Sequence, residues 1–285
     1  FALSPDKIHM SALLVSAHPR PVREAIDRYR RELDADPVTY LEAQNNPRKH
    51  DVRAAAARYL GGGPDHVALT DSTTMGIALV YHGLRLRPGQ EVLTTEHDYY
   101  ATHEALRQVA DRTGVTVRRI TLFDRPETAT EQQIVDRIRR AIRPQTRVLA
   151  LTWVHSSTGL KLPMASISEA VREVNRSRDE ADRVLVCLDG VHGFGVEDVT
   201  VEDLGCDFFM AGCHKWLFGP RGTGVVWARP ADWAELSPLI PSFIDDGSWN
   251  AWARETDPPG PTTAARMSPG GFKPFEHQWA VADAF

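Results

Sequence analysis

Apolar residues along the chain recur with two different periods. Short runs at Val67–Thr70, Glu91–Thr95, Val115–Ile120, Val148–Thr152, Val184–Asp189 and Phe208–Gly212 are bounded by turn residues and predict buried strands. Between them Ile77, Leu79 and Leu84, then Ile134, Ile138 and Ile142, then Val171 and Val174 recur at helical spacing, and Ala101–Thr113 reads as a further helix. Thr130 with Gln133, and Ser166 with Glu169, have the spacing of capping boxes for two of these helices. Strand and helix in alternation predict an α/β fold: three layers, a mostly parallel sheet with helices on both faces.

The flanks read differently. Residues 1–60 form an arm and helices. Pro21 suits a first helical turn, Val22, Ile26, Tyr29 and Leu33 follow at helical spacing, and Asp36-Pro37 ends that helix. Asn45-Asn46-Pro47-Arg48 is a turn signal, and Asp51–Leu60 is an alanine-rich helix closed by Gly61-Gly-Gly-Pro64. Residues 61–235 make one large domain. After Trp227 the pattern loosens, and 236–285 is loop-rich, with a Pro- and Trp-rich stretch from Pro238 to Pro261 suited to a subunit or domain boundary.

Composition narrows the class. With 285 residues, 42% hydrophobic, 25% charged and a net charge of −5, the chain can bury a large core and carries no basic stripe for nucleic acid. Arg137, Arg139, Arg140 and Arg143 are interleaved with Ile138 and Ile142 and read as the wet side of a helix. No apolar run approaches the roughly 20 residues of a membrane span, so no membrane partner is expected. Cys187, Cys206 and Cys213 are too scattered for a disulfide framework or a zinc site and read as buried thiols. The expected location is cytoplasmic, although the start at Phe1 leaves room for a removed export signal.

Chemistry gathers where the strands end. The run through Asp189 stops at Asp189-Gly-Val-His192, and the run through Gly212 stops at Cys213-His214-Lys215-Trp216. In open α/β sheets the ligand site lies beyond the carboxyl ends of the strands. A lysine desolvated there moves toward the neutral amine that Schiff-base chemistry needs. An acid beside it suits a cofactor with a cationic ring nitrogen and an aldehyde, which is the chemistry of pyridoxal phosphate (PLP). Asp71–Gly76 places hydroxyls, Thr73 and Thr74 among them, at a helix amino terminus where an anion is favoured. Gly61–Gly63 precedes its strand instead of following it, which removes it as a dinucleotide loop. His97 and His103 are six apart, the wrong spacing for two ligands on one helical face, and no metal is expected.

Asp189-Gly-Val-His192, His214-Lys215-Trp216 and Gly219-Pro-Arg-Gly-Thr-Gly224 together resemble the class V aminotransferase family of fold-type I PLP enzymes. With Ser268-Pro-Gly-Gly-Phe272 the chain looks nearest the isopenicillin N epimerase-like branch. The resemblance implies a large PLP-binding domain whose small carboxyl-terminal domain, absent from this chain, would hold the carboxylate-binding arginine. It implies an enzyme acting at the α-carbon of an amino acid, with Lys215 carrying PLP as a Schiff base and then moving the α-proton. Asp189 would pair with the ring nitrogen, His97 stack on the ring, and His192 bond the ring hydroxyl. Thr73, Thr74, His214 and, across a homodimer with a shared site, Ser268 would hold phosphate. His155 and Ser156 would line the substrate side, Trp153 standing where the family has histidine, and the arm would bring Asn46 or its neighbours Asn45 and Arg48 to the substrate. Gly212 replaces a serine of the pattern. Epimerase-like or carbon–sulfur lyase-like chemistry is the first expectation. Aminotransferase or cysteine desulfurase chemistry, and a PLP-binding scaffold without catalysis, are the alternatives.

Overall fold

The computed structural model describes residues 1–285. Helices α1 (Arg20–Ala35) and α2 (Pro37–Leu60) lead into β1 (Val67–Thr70), α3 (Thr73–Gly83), β2 (Glu91–Thr95), α4 (Tyr100–Thr113) and β3 (Thr116–Ile120). Then come α5 (Glu131–Ala141), β4 (Thr146–Thr152), α6 (Met164–Asn175), β5 (Leu185–Asp189), α7 (Val201–Leu204), β6 (Phe208–Gly212) and β7 (Gly224–Ala228), with short helices α8 (Asp246–Ala253) and α9 (Phe275–Trp279) near the end. One seven-stranded sheet runs β1-β7-β6-β5-β4-β2-β3. Every pair is parallel except those made by β7, which runs against both β1 and β6.

The period of two along each strand divides the core. Leu149 and Leu151 on β4, Val186 and Leu188 on β5, and Phe209 and Ala211 on β6 pack with Val52, Ile134, Ile138 and Ile167 from α2, α5 and α6. The alternate residues Val148, Ala150, Leu185, Cys187, Phe208 and Met210 pack with Ile77, Val80, Leu106 and Val109 from α3 and α4. Both faces are covered, which is why these strands read as continuous apolar runs.

Two local expectations fail. Asn45–Arg48 is not a turn: α2 runs through Pro47, and Asn46 sits on its exposed side. Pro47 gives up one backbone donor, while Val52, Ala55, Ala56 and Leu60 bury the helix that follows it. The break lies at Asp36, whose carboxylate accepts from the Thr39 N–H at 3.3 Å, with Pro37 as first residue of α2. Ser166 does not cap α6 either. Pro163 precedes the helix, and the Ser166 hydroxyl donates to Glu131 of α5.

Candidate active site at the carboxyl edge of the sheet

Because β5 and β6 are adjacent and parallel, Asp189 and the segment after Gly212 leave the sheet side by side. Asp189 is 3% exposed, and one of its oxygens accepts from the Val191 N–H at 3.1 Å. Burial pushes its carboxyl up to about 6, with the Val191 bond and the Lys215 charge opposing. Lys215 is half-buried. Desolvation draws its amine below the ordinary lysine range, and Asp189 works against that shift. His192 lies between the lysine and the next residue: Lys215 Nζ is 3.2 Å from His192 Nε2, and Trp216 Nε1 donates to His192 Nδ1 at 3.2 Å. Burial first, and Lys215 second, press the imidazole down to about 4.

The turn that carries these groups is held from several sides. The Phe218 N–H donates to the Lys215 carbonyl at 3.1 Å and the Gly219 N–H to the Cys213 carbonyl at 2.8 Å. Both the N–H and the hydroxyl of Ser16 donate to the His214 carbonyl, at 2.9 and 2.8 Å. Gly195, at φ 87°, lies against the same turn. A Cβ there would come 2.5 Å from the Leu217 nitrogen.

An anion pocket forms beside it. The Ser72 hydroxyl caps α3 by accepting from the Met75 N–H at 3.1 Å, which leaves the Thr73 and Thr74 N–H groups without helical acceptors. The Thr73 hydroxyl oxygen accepts from the Gly212 N–H at 2.8 Å and so ties the start of α3 to the end of β6. A Cβ on Gly212 would lie 2.9 Å from that oxygen and 3.1 Å from the His214 ring. Glycine at 212 therefore exchanges a hydroxyl for the close approach of Thr73 and His214. Burial, Lys215 and Arg221 all lower the His214 pKa.

The β2 and β4 ends make a further wall. Asp98 accepts from the Thr94 hydroxyl at 2.8 Å and from the Thr95 and Thr152 N–H groups at 2.7 and 2.6 Å, which locks the two strand ends together. His97 stacks on Phe123, centroids 4.0 Å apart and planes 7° off parallel, with a buried Nε2 that has no partner. His155 is 1% exposed with both ring nitrogens unpartnered, and burial holds it strongly toward the neutral form. His103 is turned away, its Nε2 2.8 Å from the Thr95 carbonyl.

Lys215, Asp189, His192, His214 and Thr73 thus come together, Thr74 stands exposed at the same helix end, and His97 and His155 form a neighbouring pair. Two expected residues do not join them. Asn46 lies on the outside of α2, and Ser156 is exposed in the turn after β4. Ser268, expected at the site of a second subunit, in its own chain accepts from the Leu69 N–H at 3.0 Å and donates to the Ala264 carbonyl at 2.9 Å, bracing β1. The arm does reach the lysine turn, through Ser16 and not through Asn45, Asn46 or Arg48. Arg48 instead covers the Tyr29 ring at 4.8 Å. Sequence reasoning passed over Asp98, although an acid just past a buried strand was a signal. Ser16 gave no signal at all.

A doubly wound sheet with a lysine and an acid at adjacent strand ends defines a ligand-binding α/β protein whose site lies on the carboxyl edge. The chain belongs to the aminotransferase class-V family, whose profile matches residues 15–246. It is 30% identical over 241 residues to the isopenicillin N epimerase of Streptomyces clavuligerus, covering 85% of this chain and 58% of that protein. To the isopenicillin N epimerase of Amycolatopsis lactamdurans it is 30% identical over 225 residues, 78% of this chain and 54% of the relative. The chain thus spans little more than half the length of these relatives. The fold matches that of the cystine C–S lyase C-DES in complex with its product cysteine persulfide, with a TM-score of 0.81 at 22% identity over 94% of this chain and 68% of that one.

Proposed function

We propose that this chain provides the cofactor-binding site of a PLP-dependent enzyme acting at the α-carbon of an amino acid, with an epimerase-like or carbon–sulfur lyase-like outcome. The observation that carries this reading is the buried Asp189 beside the half-buried Lys215, with His192 resting on the lysine amine. The residues present fit the cofactor. The start of α3 has free N–H groups and Gly212 leaves a space that a Cβ would fill, both suited to a phosphate, while Asp189 suits a cationic ring nitrogen. When bound, PLP supplies a sink for the electrons left at the substrate α-carbon.

The protein's own groups do the rest. Thr73, Thr74 and His214 take the phosphate. Asp189 offers its charge, oriented by the Val191 N–H. Lys215, desolvated, presents the amine that holds the cofactor and, once released, moves the proton at the α-carbon. His97 and His155 line the side of the cleft under the β2 and β4 ends. All three cysteines are buried, with Cys213 pushed up to about 12, so none of these three is a poised thiolate. The reading includes a homodimer sharing the site, supported by the exposed apolar surface around Trp249 and Trp252.

The test is the visible spectrum of the protein with PLP, before and after borohydride, beside Lys215→Ala. It is followed by α-proton exchange in D₂O across a panel of amino acids. A band that borohydride fixes onto Lys215, absent in the variant, is expected, together with α-proton exchange reduced at least about 10³-fold by the substitution. A protein that stays colourless with added PLP overturns the reading in favour of a scaffold without catalysis. Rapid transfer of the amino group to a keto acid would instead make it an aminotransferase.

A further inference from the structure

Trp216 follows the lysine directly and has no part in the chemistry described above. Its indole N–H can only donate. At 3.2 Å it donates to His192 Nδ1, so that nitrogen must present its lone pair. In a neutral imidazole the single proton is then on Nε2, the atom 3.2 Å from Lys215 Nζ. A lysine ammonium has donors only and cannot accept from that N–H, whereas a neutral amine has a lone pair and can.

We infer that Trp216 is a positioning residue that fixes the His192 tautomer with its proton on Nε2, so that His192 donates to Lys215 and selects the amine in its unprotonated, nucleophilic form. The inference rests on the reading of Lys215 as the amine that carries the cofactor. Without the indole, His192 could move its proton to Nδ1 and turn the Nε2 lone pair toward Lys215, and that arrangement favours the ammonium. Other charged groups bear on the same amine. Asp189 on β5 favours the ammonium and burial opposes it, while on the turn itself Lys215 and Arg221 in their turn hold His214 toward its neutral form. The Trp216 contact acts against the pull of Asp189, and it does so by geometry that a phenylalanine of similar shape cannot supply.

The experiment uses the cofactor-free protein. Nitrogen-15 NMR of the His192 ring reads the tautomer directly, with His192→Gln identifying the signals. The wild type is expected to show a protonated Nε2 and an unprotonated Nδ1 at neutral pH. A proton on Nδ1 overturns the inference, whether or not PLP binds. Reductive methylation of Lys215 with formaldehyde as a function of pH reads the amine. Trp216→Phe is expected to slow it about fivefold at pH 7, the loss of one ordinary hydrogen bond, with the rate regained at alkaline pH. In the His192→Gln background Trp216→Phe should leave the pH profile unmoved, because the glutamine amide has no tautomer to set. A loss equal at all pH values, or one that persists in the glutamine background, makes Trp216 merely structural. Failure of PLP to bind would leave these measurements standing and would count only against the functional reading.

Discussion

Two regions of this molecule gather aromatic and charged side chains, and they are built in opposite ways. At the carboxyl edge of the sheet, Asp189, His192, Lys215 and Trp216 are buried or half-buried, and each contact has a fixed partner. In the segment from Pro238 to Pro261, Trp249 and Trp252 are 63% and 70% exposed and flank a cavity of about 700 Å³, with Phe243 and Arg266 also in its wall. The wall of that cavity carries only two charged side chains, Arg85 and Arg266, and Arg266 is tied to Asp245 at 3.0 Å, which pins the segment. Volume and chemistry are therefore separate. Reactive groups need desolvation offset by fixed hydrogen bonds, whereas exposed indoles offer unspent apolar area for another surface.

The sharpest test of the first region is Asp189→Asn. Activity with PLP should fall about 10³-fold, because the amide carries no charge for the ring nitrogen. Stability of the cofactor-free protein should move the other way. The folded-state pKa of Asp189 is raised from 3.8 to about 6, so the proton it holds stabilises the fold fully below pH 3.8, and that contribution is lost as pH rises through about 6. At pH 7 the wild type thus bears a cost of up to about 3 kcal/mol that asparagine removes. His192 is depressed to about 4 and acts with the opposite sign, its contribution present above pH 6.5 and lost as pH falls through about 4. The difference between wild type and Asp189→Asn in denaturant unfolding isolates the aspartate. A variant no more stable than wild type at pH 7, or equally changed at pH 3, would show that burial does not strain this carboxylate.

How much of this was legible follows from the same contrast. The central strands β4, β5 and β6 were readable because both faces of the sheet are covered there, so their sequences are continuous apolar runs, whereas β7, equally buried, was not among the runs read as strands. Asp189 and Lys215 were readable because those runs end on them. The Trp216–His192 contact was not, since it depends on which ring nitrogen faces which neighbour across the turn. Ser16 braces a carbonyl 198 residues away, and no local pattern encodes that. Pro47 and Ser166 misled because turn and cap propensities are weak beside the burial of Val52, Ala55 and Leu60 on one helix and the early start of α6 at Met164.

Gly212→Ser asks whether the anion pocket is set by a hydroxyl or by close approach. It installs the residue that the family resemblance led us to expect. A Cβ 2.9 Å from the Thr73 oxygen must push Thr73 or His214 aside, so PLP retention should weaken about tenfold and the fold lose about 1–3 kcal/mol. Absorbance titration with PLP and thermal unfolding measure the two effects. Tighter retention would mean that the turn yields and that the added donor outweighs the crowding.

The smallest effect on folding belongs to the second region. Replacing Trp249 and Trp252 together by glutamate places charge on rings that stand in solvent 5.2 Å apart, so unfolding free energy should change by no more than about 0.5 kcal/mol per site. If these indoles are the surface on which a second copy packs, light scattering should show the mass halved, because burying two carboxylates without partners costs far more than the indole area contributes. Because the proposed site is shared between two subunits, a halved mass should come with weaker retention of PLP at Lys215, although neither tryptophan lies among the groups around the lysine. A double variant that keeps the wild-type mass frees this face from any role in self-association. One that unfolds would show that the segment is part of the core, and the division between the two regions would fail.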